Sequence, residues 1–155
     1  MSIESWKAEF YSTDARMYGG LDKSPGTTVF AILHSLQKWR GLTKENLRKH
    51  DLSRVNGRLF DGVSRDWDKG FLINDRSCAL CHMFYVNDDF DHPRPPARCG
   101  SCPLRIEQGI PCDVDNDLGS ITSVSPFRWF ILTGDPQPMI NLLERALRSA
   151  NQEKP

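Results

Sequence analysis

Along the first fifty residues the apolar side chains recur at helical spacing. In IESWKAEFY, Trp6 and Phe10 fall four apart on one face of a short helix that Ser2 can cap. After the break KSPGTT, Val29, Ile32, Leu33, Leu36 and Trp39 mark a longer helix, VFAILHSLQKW, with Thr27 or Thr28 as its cap and Gly41 as its end. LTKENLRKH predicts a third helix. Thr43 caps it, Leu42 and Leu47 stand as a hydrophobic staple, and Lys49 and His50 fall at the negative end of its dipole. These apolar and aromatic stripes read as core, not as a cofactor box.

The pattern changes between about Leu52 and Cys112. Apolar residues now come in short runs, RLF, FLI and MFYV, separated by Gly, Asn and Asp, which predicts short strands and turns. VNGR reads as a type I′ hairpin turn, because Asn56 and Gly57 tolerate positive φ. FDHPRPPARC, with Pro93, Pro95 and Pro96, reads as a loop. This stretch has too few long apolar runs to be held by burial alone. Beyond it, SPFRWFILTG reads as a buried strand or the start of a helix. DPQPMINLLERALRSA predicts a helix capped by Asp135, with Pro136 or Pro138 in its first turn. Its face of Met139, Leu142, Leu143, Ala146 and Leu147 is expected to pack on the N-terminal helices, and the tail NQEKP to fray. The expectation is one domain over residues 1–155 of class α+β: a helical segment over residues 1–51, an inserted segment over residues 52–112 with short antiparallel strands, and a C-terminal helical segment over residues 113–155.

Composition adds limits. With 155 residues, 39% hydrophobic and 26% charged, the chain is that of a soluble globular protein large enough to bury a core without a metal. No stretch is apolar enough to span a membrane, and the N-terminus has no basic start followed by an apolar run. A reducing cytoplasm is therefore expected, which argues against disulfides among the five cysteines. A net charge of zero argues against a large nonspecific nucleic-acid surface. Charge is nevertheless segregated: Arg40 to Arg58 is rich in Lys and Arg, and Asp61 to Asp91 is rich in acids. The plain reading is that these blocks pair with one another or lie on solvated faces.

The cysteines carry the chemistry. Cys78 and Cys81 in CALCH are followed, after seventeen residues, by Cys99 and Cys102 in RCGSCP. Two CxxC turns at this separation match a structural zinc site, in which four thiolates close a tetrahedron around Zn²⁺. Structural zinc is worth about 10 to 16 kcal/mol, enough to order a stretch with a weak core of its own. Covalent haem on CALCH with His82 as axial ligand leaves the second CxxC without purpose. A redox dithiol asks for CxxC at a helix start in a βαβ setting, whereas strands are expected around Cys78. His82, His92 or Cys112 can replace one of the four sulfurs, but Cys112 reads first as a buried apolar thiol. His34 and His50 read as helix residues.

Other chemistry fits less well. DVDNDLG, Asp113 to Gly119, resembles a calcium loop, but its glycine is one position late and Val124 stands where a bidentate Glu belongs. DHPRP leaves no room before Cys99 for an HNH nuclease element, and there is no His-x-Glu of a zinc deaminase. A tetrathiolate centre has no open position for water, so an enzyme is not expected.

On SIESWKAEFY, HSLQKWRGLTKENLRKHDL, SCALCHMF, RCGSCPL, GIPC and GDPQPMINLLERAL, the chain resembles small zinc-ribbon proteins of tailed bacteriophages. The resemblance implies Cys78, Cys81, Cys99 and Cys102 as zinc ligands, with Cys112 a further thiol. Gly100 precedes, rather than follows, the second cysteine of its pair, unlike the commonest ribbon knuckle. The expected protein is a nonenzymatic, zinc-stabilised interaction module in the host-cell cytoplasm, acting on a host or phage protein. The alternative is a nucleic-acid binder using the Arg40 to Arg58 block with Arg94, Arg98 and Arg105, and exposed Trp39, Phe84 or Tyr85 as stacking surfaces.

Overall fold

A computed structural model describes residues 2–63, 65–84, 101–109, 112 and 124–152. The first helix, α1 (Ile3–Phe10), begins in a reciprocal cap: Ser2 Oγ accepts from the Ser5 N–H, and Ser5 Oγ accepts from the Ser2 N–H. Trp6 is fully buried, and its indole N–H donates to the Gly41 carbonyl at 2.8 Å. That bond ties α1 to the end of α2 (Pro25–Arg40). Helix α2 starts earlier than its apolar pattern implies. Ser24, not Thr27 or Thr28, is the cap, because Pro25 at the first helical position is preset for helix and extends it by a turn. Its buried face runs through Ala31, Ile32, Ser35, Leu36, Lys38 and Trp39, while Leu33 of the expected stripe is exposed beside Phe30.

Helix α3 (Lys44–Lys49) is capped by Thr43 as expected and ends at His50. Strands β1 (Leu52–Val55), β2 (Arg58–Asp61) and β3 (Phe71–Leu72) form an antiparallel sheet in sequence order, with Val55 opposite Arg58 across the hairpin. Asn56 is left-handed at φ 51° but Gly57 is not, so the turn has only one of the two positive φ values of type I′. Gly57 answers a need for space: a Cβ there would come within 2.9 Å of Ile131 Cδ1.

The strand expected at MFYV is not found over its described half. Met83 and Phe84 end helix α4 (Ala79–Phe84), which buries Ala79, Leu80, Met83 and Phe84 at helical rather than alternating spacing. Helix α5 (Pro103–Gln108) follows Cys102, and α6 (Pro126–Thr133) resolves SPFRWFILTG as a helix closed by left-handed Gly134. Helix α7 (Gln137–Gln152) starts at Asp135, whose carboxylate accepts from the Gln137 N–H at 3.0 Å. It continues through Asn151 and Gln152 of the tail expected to fray. Met139, Ile140, Leu142, Leu143 and Ala146 are buried on α7, which packs along α2, so the N- and C-terminal helices share one core as expected.

The architecture is mixed helix and antiparallel sheet, in agreement with class α+β. A zinc ribbon is not shown: the described cysteines between residues 52 and 112 lie at helix starts or beyond a helix, not on the hairpin. Among the described residues no helix is long and apolar enough to cross a membrane. FDHPRPPARC and Asp113 to Gly119 lie outside the described residues.

Candidate metal centre

Three stretches of chain bring Cys78, Cys102 and Cys112 within electrostatic range of Cys81. Cys78 sits between the 3₁₀ turn Asp75–Ser77 and α4, and Cys81 lies in the first turn of α4. Cys102 occupies the N-cap position of α5. Cys112 is partly buried, and its carbonyl accepts from the Phe127 N–H of α6 at 3.4 Å. Cys78 Sγ lies 3.8 Å from Ser35 Oγ of α2. No disulfide joins Cys78, Cys81, Cys102 or Cys112. Cys99 lies outside the described residues, so the spacing-predicted ligand set is seen for Cys78, Cys81 and Cys102 only.

Lys38 gives the cluster its electrostatic character. It is 1% exposed, and its ammonium donates to the Ser77 carbonyl at 2.8 Å and to Ser77 Oγ at 3.4 Å. It lies 5.5 Å from the centre of the Trp39 ring. No carboxylate pairs with it among the described residues; the anions in its range are thiolates. Burial pushes the Lys38 pKa down, and Cys78, Cys81 and Cys112 oppose that shift.

The thiols divide their roles accordingly. The Cys78 pKa is held well below its ordinary value, first by a hydrogen bond from the Cys81 thiol, then, against the cost of burial, by Lys38, the Cys81 backbone N–H and Ser35. Cys81 is pushed well above, first by retaining the proton it shares with Cys78, then by burial and by the charges of Cys78, Cys112 and Cys102. Cys78 is therefore the more readily ionised of the two thiols, and Lys38 is one of the groups that favour its charge. Soft sulfur donors around such a site suit zinc better than magnesium or calcium. As the side chains stand, no three His, Cys, Asp or Glu among the described residues are placed to hold one ion. A metal would have to draw the thiols inward.

The remaining expectations divide. His82 is buried, with Nε2 2.8 Å from the Arg76 carbonyl, which engages that nitrogen away from any metal. His92 lies outside the described residues. His34 lies on α2 and His50 just after α3, as read; His50 bridges Ser5 Oγ at 2.8 Å and Glu9 at 2.9 Å. The strands expected around Cys78 are replaced by a helix start, which removes one argument against a redox dithiol. The antiparallel sheet still lacks the βαβ setting. Cys112, read as an apolar thiol, packs against the core partly buried and lies within electrostatic range of both Cys81 and Lys38.

The cationic block is largely occupied within the fold. Arg40 pairs with Glu144 at 3.0 Å and Lys49 with Glu9 at 2.7 Å, both outside the acidic stretch expected to match them. The Arg54 guanidinium donates to the Asn56 and Ile131 carbonyls, and that of Arg58 to those of Trp67 and Gly70. Trp39 and Phe84 are 3% and 5% exposed and offer no stacking surface, contrary to expectation. Tyr85, Arg94 and Arg98 lie outside the described residues.

No family model, no curated protein and no solved structure matches this chain.

Proposed function

We propose that the chain is a zinc-stabilised, nonenzymatic protein-interaction module, a phage accessory protein acting in the host cytoplasm on a host or phage protein. The observation that carries the zinc reading is that Cys78, Cys81 and Cys112 lie within electrostatic range of a buried lysine that has no carboxylate partner among the described residues. Unpaired buried charge is costly, and a thiolate-rich metal centre is an anionic partner of the right kind. Cys99 supplies a further donor by its spacing from Cys102. Cys78 and Cys81 at the start of α4 and Cys102 at the start of α5 would hold the zinc, which would supply a cross-link between these helix starts. The protein's own groups orient the donors: Ser35 and Lys38 face Cys78, and the α6 backbone holds Cys112.

The interaction role is supported by apolar side chains left on helix surfaces. Phe30 and Leu33, three apart on α2, are 66% and 42% exposed. The test is capture from host lysate with zinc-loaded full-length protein, beside the double variant Phe30→Ser, Leu33→Ser. A discrete partner retained by the native chain and lost with the variant is expected. No partner retained by either, or equal retention by both, contradicts the use of this surface.

A further inference from the structure

A cleft of about 460 Å³ opens between α1, the 3₁₀ turn Ala15–Tyr18 that Asp14 caps, and the chain from Phe71 to Ser77. That size falls within the roughly 300 to 1,000 Å³ of small-molecule sites. Phe71 and the exposed Leu72 give it an apolar wall. Among the described residues Lys7, Arg16 and Arg76 line it with Asp14 as the only lining carboxylate, in a chain whose net charge is zero.

The fold uses up the acceptor and leaves donors over. Arg16 grips the Asp14 carboxylate through Nε and Nη2 at 2.8 to 3.1 Å, so that charge is met within the fold. Lys7 is held only by an exposed pair with Glu4 at 3.0 Å, a weak tie. The exposed Arg76 guanidinium has no hydrogen bond or ion pair among the described residues; its contact with Asn74 Oδ1 is made by the Arg76 backbone N–H. That contact fixes the Asn74 side chain while its amide NH₂ finds no acceptor among the described residues. Tyr11 is buried, and its hydroxyl oxygen accepts from the Ala15 N–H at 3.0 Å, yet the hydroxyl proton meets no acceptor among the described residues. Burial pushes the Tyr11 pKa up, so that proton stays in place. A buried donor left unmatched is costly, and a ligand oxygen would offset the cost.

A lining of cations and spare donors selects a ligand made of acceptors. A phosphate monoester brings three acceptor oxygens and nearly two negative charges, and arginine matches its geometry. The apolar wall asks for a flat, weakly polar remainder, which a nucleobase supplies. We propose that this cleft binds a small phosphomonoester bearing a flat ring, of the class of a nucleoside monophosphate, with Lys7 and Arg76 toward the phosphate, Tyr11 and Asn74 donating to its oxygens, and the ring against Phe71 and Leu72. The site is additional to the protein-interaction role and does not depend on the zinc reading.

Calorimetric titration of the full chain with the common ribonucleoside monophosphates, the free nucleosides and inorganic phosphate tests it. At least one monophosphate is expected to bind about 10-fold or more tightly than both inorganic phosphate and its own nucleoside. Arg76→Gln, at an exposed position where folding is not at stake, and Tyr11→Phe, which keeps the ring, are each expected to weaken that binding about 10-fold, the scale of a hydrogen bond to a charged group. Lys44→Gln, which removes an exposed cation on α3 outside the cleft, is expected to leave it unchanged. No monophosphate held more tightly than inorganic phosphate overturns the proposal. Equal weakening by Arg76→Gln and Lys44→Gln also overturns it, by showing general charge attraction in place of a site.

Discussion

Lys38 and His34, one turn apart on α2, show how single buried groups shape the behaviour of the molecule. Lys38 is a lysine in the core whose hydrogen bonds among the described residues go to Ser77, so without thiolates it stands at a disadvantage relative to an apolar residue of similar length. In metal-free protein, Lys38→Met is therefore expected to leave urea stability unchanged or improved. In the same variant, zinc affinity measured against a competing chelator falls about 10- to 100-fold, the usual scale for an outer-shell partner. Equal affinity in both forms contradicts the counter-charge role. His34 acts through pH. Its Nε2 lies 2.6 Å from the Thr13 carbonyl, its Nδ1 is buried without a partner among the described residues, and the Tyr11 and Tyr18 rings pack against it edge-on and tilted. Burial holds its pKa below the ordinary 6.5, so the folded ring stays neutral where the unfolded one takes a proton. The folded state is favoured fully above 6.5, and this contribution is lost as pH falls from 6.5 through the folded pKa. Denaturant unfolding across that window should show a decline that His34→Gln flattens; an unchanged slope contradicts it.

Elements are placed by local chemistry and joined by close contacts. The α1–α2 junction depends on Gly41, whose ordinary helical φ of −64° needs no glycine but whose Cβ would meet the Phe10 ring at 2.5 Å. Gly41→Ala is expected to cost about 1–3 kcal/mol by overpacking. Phe10→Leu in the same chain should recover some of that loss; strict additivity in thermal unfolding contradicts the contact. Caps are legible in the sequence where a single polar residue and the helix behind it suffice, as at Ser2, Thr43 and Asp135. Ser24 is not, because apolar periodicity begins only at Val29, while Pro25 starts the helix before any apolar residue marks it. MFYV reads as a strand because aromatic and β-branched residues cluster there. Only tertiary packing of Ala79, Leu80, Met83 and Phe84 makes its described half a helix. In the site, the CxxC pairs are visible as local motifs. The burial of Lys38 beside Cys78 is not, because a helix lysine acquires that setting only once α2 and α4 meet.

For the molecule as a whole, the zinc reading predicts that the α2–α7 part of the core persists without metal while the cysteine-bearing helix starts do not. The α2–α7 packing buries Leu36, Trp39, Leu142 and Leu143, none of them at the cysteine cluster's helix starts. Removal of zinc by a chelator is expected to raise hydrogen exchange in α4 and α5 by orders of magnitude while α2 and α7 keep most of their protection. Uniform protection before and after chelation contradicts a stabilising metal. The most direct test of a zinc-held cysteine centre is native mass spectrometry of the freshly purified full chain under reducing conditions. One zinc ion per chain is predicted, released on acidification together with a mass matching fully reduced cysteines. A metal-free chain, or a mass showing disulfides in place of metal, would contradict it.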